Sequence, residues 1–292
     1  MFHGLNQIAK SPQMKPFIVF CLLFVVVIDN IHSQDQKVSL DQTHSKWYES
    51  KIVGDKFLIQ CYIPYQKIIP TDSLPILFIL DSDMSFGLAY DVVRWLRWSR
   101  EIPYVAIVGI SYGMGQNDWW QKRSRDYTFS KDLKKIWGEW PLAGGSSNFI
   151  KFMETELFQF IADEFSLKGN DRTIVGLSLG GLLCTEILFS KPELFDNYII
   201  LGPALIWNNK EIFKKESQYF ENHSTLKANV FTAVGSLDQK EIIEPWTEFV
   251  NIIKSRNYSG LVFKSLIIEN ETHISMFPAG LTRGLKTVLT KK

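Results

Sequence analysis

Dense apolar runs alternate with amphipathic stretches along most of the chain. Pro75–Leu80 (PILFIL), Tyr104–Ile110 (YVAIVGI), Thr173–Leu177, Tyr198–Leu201, Asn229–Val234 and Leu261–Ile268 are short, rich in β-branched residues and bounded by turn residues. Runs of this kind are the signature of strands buried on both faces. A further strand-like pattern starts at Lys51 (KIVGDKFLIQCYIPY). Between the runs lie helical patterns over Leu88–Trp98, Phe149–Phe165, Leu179–Ser190, Ile242–Ile253 and Phe277–Leu289. Alternation of strand and helix predicts an α/β architecture, a mostly parallel central sheet with helices on both faces. One long stretch, Ser111–Ser147, shows no period, yet it carries Tyr112, Trp119, Trp120, Tyr127, Trp137 and Trp140. A loop of that length with that aromatic content is expected to serve function.

The N-terminus has a different pattern. Lys10 and Lys15 precede an unbroken apolar run from Phe17 to Ile28, after which polarity returns at Asp29. The run is too short for a spanning helix, which needs about 20 apolar residues, and it reads as a secretory signal peptide over residues 1–33, with residues 34–292 as one domain. An uncleaved leader would act as an anchor; otherwise the reading is a secreted or periplasmic protein. Loss of the leader removes Cys21 and leaves Cys61 and Cys184, read as two buried thiols.

Charge excludes some partners. The chain has 32 Lys+Arg against 31 Asp+Glu and no basic block, so neither nucleic acid nor an anionic membrane is selected by bulk electrostatics. No G-x-x-x-x-G-K, H-E-x-x-H or C-x-x-C is present, and Gly113-Met114-Gly115 has no third glycine at the dinucleotide spacing. Neither a cofactor nor a metal is expected.

Candidate chemistry gathers at three points. Gly176-Leu177-Ser178-Leu179-Gly180 is G-x-S-x-G, with an apolar strand running into it and a helix pattern leaving it, the setting of a nucleophile elbow. A serine hydroxyl needs a base to become a nucleophile. Of five histidines, His3 and His32 fall in the leader, His44 precedes the first strand and His223 sits in a polar loop, which leaves His273 after the last strand. The carboxylate that orients the base should follow a strand between the two, where Asp238 stands in VGSLD, with Glu241 and Glu244 as rivals. Arg123, Arg125 and Asp126 form a charged cluster that either meets an anionic substrate or braces its own segment.

Taken together, LFILDSDMSF, VAIVGISYG, KRSRDYTFS, GGSSNFIKFMETELFQFI, VGLSLGGLL, VGSLD and THISMFP resemble the putative esterase family of the α/β-hydrolase superfamily, the group of enterochelin and related siderophore esterases and esterase D-like enzymes. The resemblance spans most of the chain after the leader. It implies the α/β-hydrolase fold, Ser178 as nucleophile, His273 as base, and the backbone N–H groups of Leu179 and Asp83 as oxyanion hole. The family usually carries Leu-Asp-Gly where this chain has Leu80-Asp81-Ser82. Its acid is variable, and some members work as Ser-His dyads.

The resulting expectation is a serine carboxylic-ester hydrolase acting on a small-molecule ester, siderophore or otherwise bulky, through an acyl-enzyme. Trp119 and Trp120 are expected to bind substrate. An acyltransferase with the same triad, or a binding protein on a hydrolase fold, are the competing readings.

Overall fold

The computed structural model describes residues 39–64, 70–113 and 118–290. The predicted leader lies outside them, and from Leu40 the chain forms one compact unit. Among the described residues, no helix is long and apolar enough to cross a membrane.

One eight-stranded sheet runs through the molecule in the order β1-β2-β4-β3-β5-β6-β7-β8. The strands are β1 (Thr43–Ser50), β2 (Asp55–Tyr62), β3 (Ile76–Ile79), β4 (Ala106–Ser111), β5 (Arg172–Leu177), β6 (Asn197–Leu201), β7 (Thr225–Gly235) and β8 (Ser259–Ile268). β1 and β2 pair antiparallel, as do β2 and β4, while β3 to β8 are mutually parallel. Parallel strands put all their carboxyl ends on one edge, which is where open α/β sheets place their chemistry.

The strand pleat explains the two apolar layers. In β3, Ile76 and Phe78 belong to one buried cluster, while Leu77 and Ile79 belong to the other. Each such side chain contributes about 1.5–3 kcal/mol on leaving water. One layer is closed by α1 (Ser82–Trp98) and, later in the chain, by Met276–Leu289. The other is closed by α3 (Ser146–Phe152), which passes through a π-helical turn at Met153–Leu157 into α4 (Phe158–Phe165), and by α5 (Leu179–Ser190). Further helices are α2 (Trp119–Tyr127), α6 (Ile212–Asn222) and α7 (Lys240–Arg256), with Met276–Leu289 as α8.

Two expectations need correction. The stretch from Ser111 to Ser147 holds α2, whose sequence WWQKRSRDY has little apolar period because its arginines and Asp126 face buried partners. His44 lies within β1, not before the first strand; β1 is exposed along most of its length and so lacks the alternation that would mark it. His223, read as lying in a polar loop, is exposed just after α6 and stacked on Tyr219 at 4.3 Å between ring centroids. Cys61 and Cys184 are free and buried, and burial raises both thiol pKa values.

Candidate active site

Ser178 stands between β5 and α5 with φ 61° and ψ −117°, a backbone conformation that few side chains adopt. Surrounding contacts hold it there. Its N–H donates to Leu201 O at 3.0 Å, and its carbonyl accepts from Leu182 N at 2.9 Å and Ala204 N at 3.0 Å. Gly176 is required by this turn, since a Cβ there would lie 2.3 Å from the Gly180 backbone. The turn lifts Ser178 clear of the sheet at its carboxyl edge.

Asp238 and His273 arrive from β7 and β8, the two parallel strands beyond β6. Asp238 follows β7, and its Oδ1 accepts from Gln239 N at 2.7 Å. Its Oδ2 lies 2.9 Å from His273 Nδ1, and the carboxylate is fully buried while the imidazole side chain keeps 23% of its surface. Glu241 and Glu244, the rivals, are exposed on α7. The loops carrying the pair are laced together by Leu237 N to Glu271 O at 2.9 Å and Asn270 N to Ser236 Oγ at 2.9 Å. Gly235 permits this closeness, because a Cβ there would fall 2.2 Å from Glu271 O.

Gly202 links the two halves of the site. It lies between Leu201 and Ala204, two of the three backbone partners of Ser178, and a Cβ on it would stand 3.1 Å from both Cε1 and Nδ1 of His273. The imidazole is therefore seated against the segment that also holds the serine. Among the described residues, Ser178 Oγ makes no hydrogen bond, to His273 or to any other group.

Two helix N-termini converge on the same place. Leu179 is the first residue of α5, and Asp83 the second of α1; such positions have N–H groups without intrahelical acceptors. They are brought together where Gly180 approaches Leu80 and the Asp81 carboxylate, each 3.5 Å from a Cβ built on the glycine. The left-handed residue at the start of α1 is Asp81 (φ 53°), not residue 82. Ser82 can therefore stand where the resembled family has glycine, and its Oγ donates to Gln60 Oε1 at 2.9 Å. Asp83 is anchored by its side chain, which accepts from Ser111 Oγ at 2.7 Å and Tyr112 N at 2.9 Å.

Behind these groups lies a buried polar cluster. Arg123 pairs with Asp81, Tyr127 OH accepts from Asp81 N at 3.1 Å, and Arg125 pairs with Asp126 and Asp55. Burial disfavours the Arg123 charge, and Asp81 outweighs that, so its pKa is raised. Burial also raises the Asp126 carboxyl pKa, against the opposing bonds from Arg125 and Tyr112. The charged cluster thus braces its own segment. Sequence reasoning missed Asp81 and Tyr127 as supports, although Leu-Asp before the first helix pattern marked the place.

The two candidate substrate aromatics differ. Trp119 is half-buried and packs against the main core, whereas Trp120 is 49% exposed, stacks on Trp119 at 4.1 Å and lies over Arg123. Tyr112 and Tyr127 are buried, and Trp137 and Trp140 pack against the core. Among the described residues, no three His, Cys, Asp or Glu side chains converge as a metal-ligand set.

Comparison with known proteins agrees with this architecture. A family model described as putative esterase matches residues 50–251. The chain is 29% identical over 234 residues to a ferri-bacillibactin esterase, BesA, of Bacillus subtilis (strain 168), covering 75% of this chain and 80% of that one. A solved BES protein from Bacillus cereus superposes with a TM-score of 0.79 at 28% identity, covering 88% of this chain and 100% of its own. The siderophore hydrolase EstA of Aspergillus nidulans shares the fold, with a TM-score of 0.73 at 18% identity over 84% of this chain and 93% of that one.

Proposed function

The chain belongs to the putative esterase family and is a carboxylic ester hydrolase; from that premise we propose that it cleaves siderophore or other bulky esters through an acyl-enzyme formed on Ser178. His273 Nε2 takes the proton as Ser178 Oγ attacks the ester carbonyl. Asp238, holding Nδ1–H at 2.9 Å, fixes the tautomer that leaves Nε2 free to accept and stabilises the imidazolium that results. The carbonyl oxygen gains negative charge, which the N–H groups of Leu179 and Asp83 receive at two helix N-termini. Collapse expels the alcohol with the proton from His273. Water then attacks the acyl-serine with His273 again as base, and the acid is released.

The Asp238–His273 bond carries this reading, because an imidazole held by a buried carboxylate beside a strained serine has no evident structural purpose. The names of its relatives support the substrate class: BesA is a ferri-bacillibactin esterase, and a second relative from Aspergillus fumigatus is a siderophore triacetylfusarinine C esterase. We place the protein outside the cytoplasm on the pattern of its first 33 residues.

Two assays test the proposal together. A fluorophosphonate probe should label Ser178 alone, and a panel containing a trilactone siderophore, an aryl acetate and a feruloylated sugar should show the trilactone hydrolysed with the highest kcat/KM. Labelling elsewhere would refute the nucleophile; preference for the feruloyl ester would refute the substrate class.

A further inference from the structure

A cavity lies far from this site. It has a volume of about 660 Å³ and is built on the C-terminal half of α1, with Tyr62 and Tyr104 on its other walls. α1 starts at the proposed oxyanion hole and has 17 residues, so at about 1.5 Å per residue its far end is about 25 Å from the reacting centre.

Three arginines line this cavity: Arg94, Arg97 and Arg100. Arg94 lies over the Tyr90 ring at 4.9 Å and Arg97 over Tyr104 at 3.9 Å, so the tyrosine faces hold the guanidinium planes. Among the described residues, none of the three is ion-paired, and Arg97 Nε is buried with no hydrogen-bond partner. Beside them Trp95 and Trp98 stand 66% and 79% exposed, their rings in edge contact at 5.6 Å. Two neighbouring tryptophans this exposed present flat apolar area unused by the core.

We propose that this cavity is a second ligand site, for a monoanionic aromatic molecule of the aryl carboxylate class. A carboxylate matches the guanidinium fork, and an aryl ring matches the indole faces. The charge balance selects the monoanion. Asp41 and Asp91 also line the cavity, so three cations face two carboxylates and one net positive charge remains. A polyanion, whether nucleic acid or an anionic membrane surface, would meet those carboxylates at a cost. The site goes beyond the hydrolytic reading and does not depend on it.

Fluorine NMR of the full chain titrated with 4-fluorobenzoate tests the proposal, with trifluoroacetate as an anion lacking a ring and 4-fluorobenzyl alcohol as a ring lacking charge. Saturable binding of the benzoate alone is expected. Arg94→Gln and Trp98→Ala should each raise its Kd about tenfold or more, the equivalent of about 1.4 kcal/mol. Both variants should keep wild-type kcat/KM on a small acetyl ester and an unchanged melting temperature. Binding that ignores both substitutions, or equal binding of trifluoroacetate, would overturn the proposal. So would Trp98-dependent binding of phosphatidylglycerol vesicles with none of the benzoate.

Discussion

Arg123 grips Asp81 through two hydrogen bonds, Nε to Oδ1 at 2.6 Å and Nη2 to Oδ2 at 2.9 Å, and the same Nη2 reaches Leu177 O at 3.1 Å. One side chain thereby ties the loop that starts α1 to the strand end that carries Ser178. Those two backbones supply the two proposed oxyanion donors, so their separation depends on this fork. Arg123→Lys keeps a charge but not the fork. It should lower kcat by about 10²-fold, the scale of a lost oxyanion donor, with KM changed far less. Steady-state kinetics on an aryl ester checks this; a rise in KM at constant kcat would assign Arg123 to substrate binding instead.

Asp238 is the carboxylate that reaches the imidazole, while Glu241 and Glu244 face solvent. Asp238→Asn should reduce turnover by up to about 10⁴-fold, because the amide no longer selects the required tautomer. Glu241→Gln and Glu244→Gln should stay near wild type in the same assay. A near-normal rate for the Asn variant would mean a Ser-His dyad.

Trp119 and Trp120 are stacked neighbours with different surroundings, and their alanine variants should separate. Trp120→Ala, at the exposed ring, should depress kcat/KM for an aryl ester more than for an acetyl ester of a small alcohol, by roughly the 0.5–1.5 kcal/mol of one ring pair. Trp119→Ala should mainly lower the melting temperature, since its ring packs on the core. Equal losses on both esters for Trp120→Ala would place substrate selection elsewhere.

How far the sequence showed this arrangement varies with how local each signal is. β5, Ser178 and α5 are contiguous, and α5 begins and ends at Leu179 and Ser190 as the apolar pattern indicates. β3 is equally plain, because a strand buried on both faces needs unbroken apolar sequence. α2 was hidden for the opposite reason. Its buried residues include Arg123, Ser124 and Asp126, polar groups satisfied by partners such as Asp81 and Tyr112, and hydrophobic periodicity cannot register them. The two glycines of G-x-S-x-G differ in a way sequence does not show: Gly176 is sterically required, whereas a Cβ at Gly180 would meet ordinary contacts at 3.5 Å. The choice of Asp238 over its rivals depends on a pairing 35 residues distant in sequence, which only the fold supplies.

The buried thiols provide a check on packing. Burial raises the pKa of Cys61 and of Cys184, so at pH 8 both stay protonated in the folded chain and unfolding returns them to ordinary values. Mass-resolved alkylation with iodoacetamide at that pH should leave both unmodified in native protein and modify both in guanidinium. Fast native labelling of either would contradict the packing described for β2 or α5.

The account turns on Ser178 and His273 acting as one unit, and a double-mutant cycle measures that directly. Ser178→Ala and His273→Ala should each remove most of the turnover, and the double variant should be about as slow as the slower single one, the residual rate coming from the oxyanion donors and binding. Losses that multiply in the double variant would show two independent contributions, and the proposed acyl-enzyme mechanism would be contradicted.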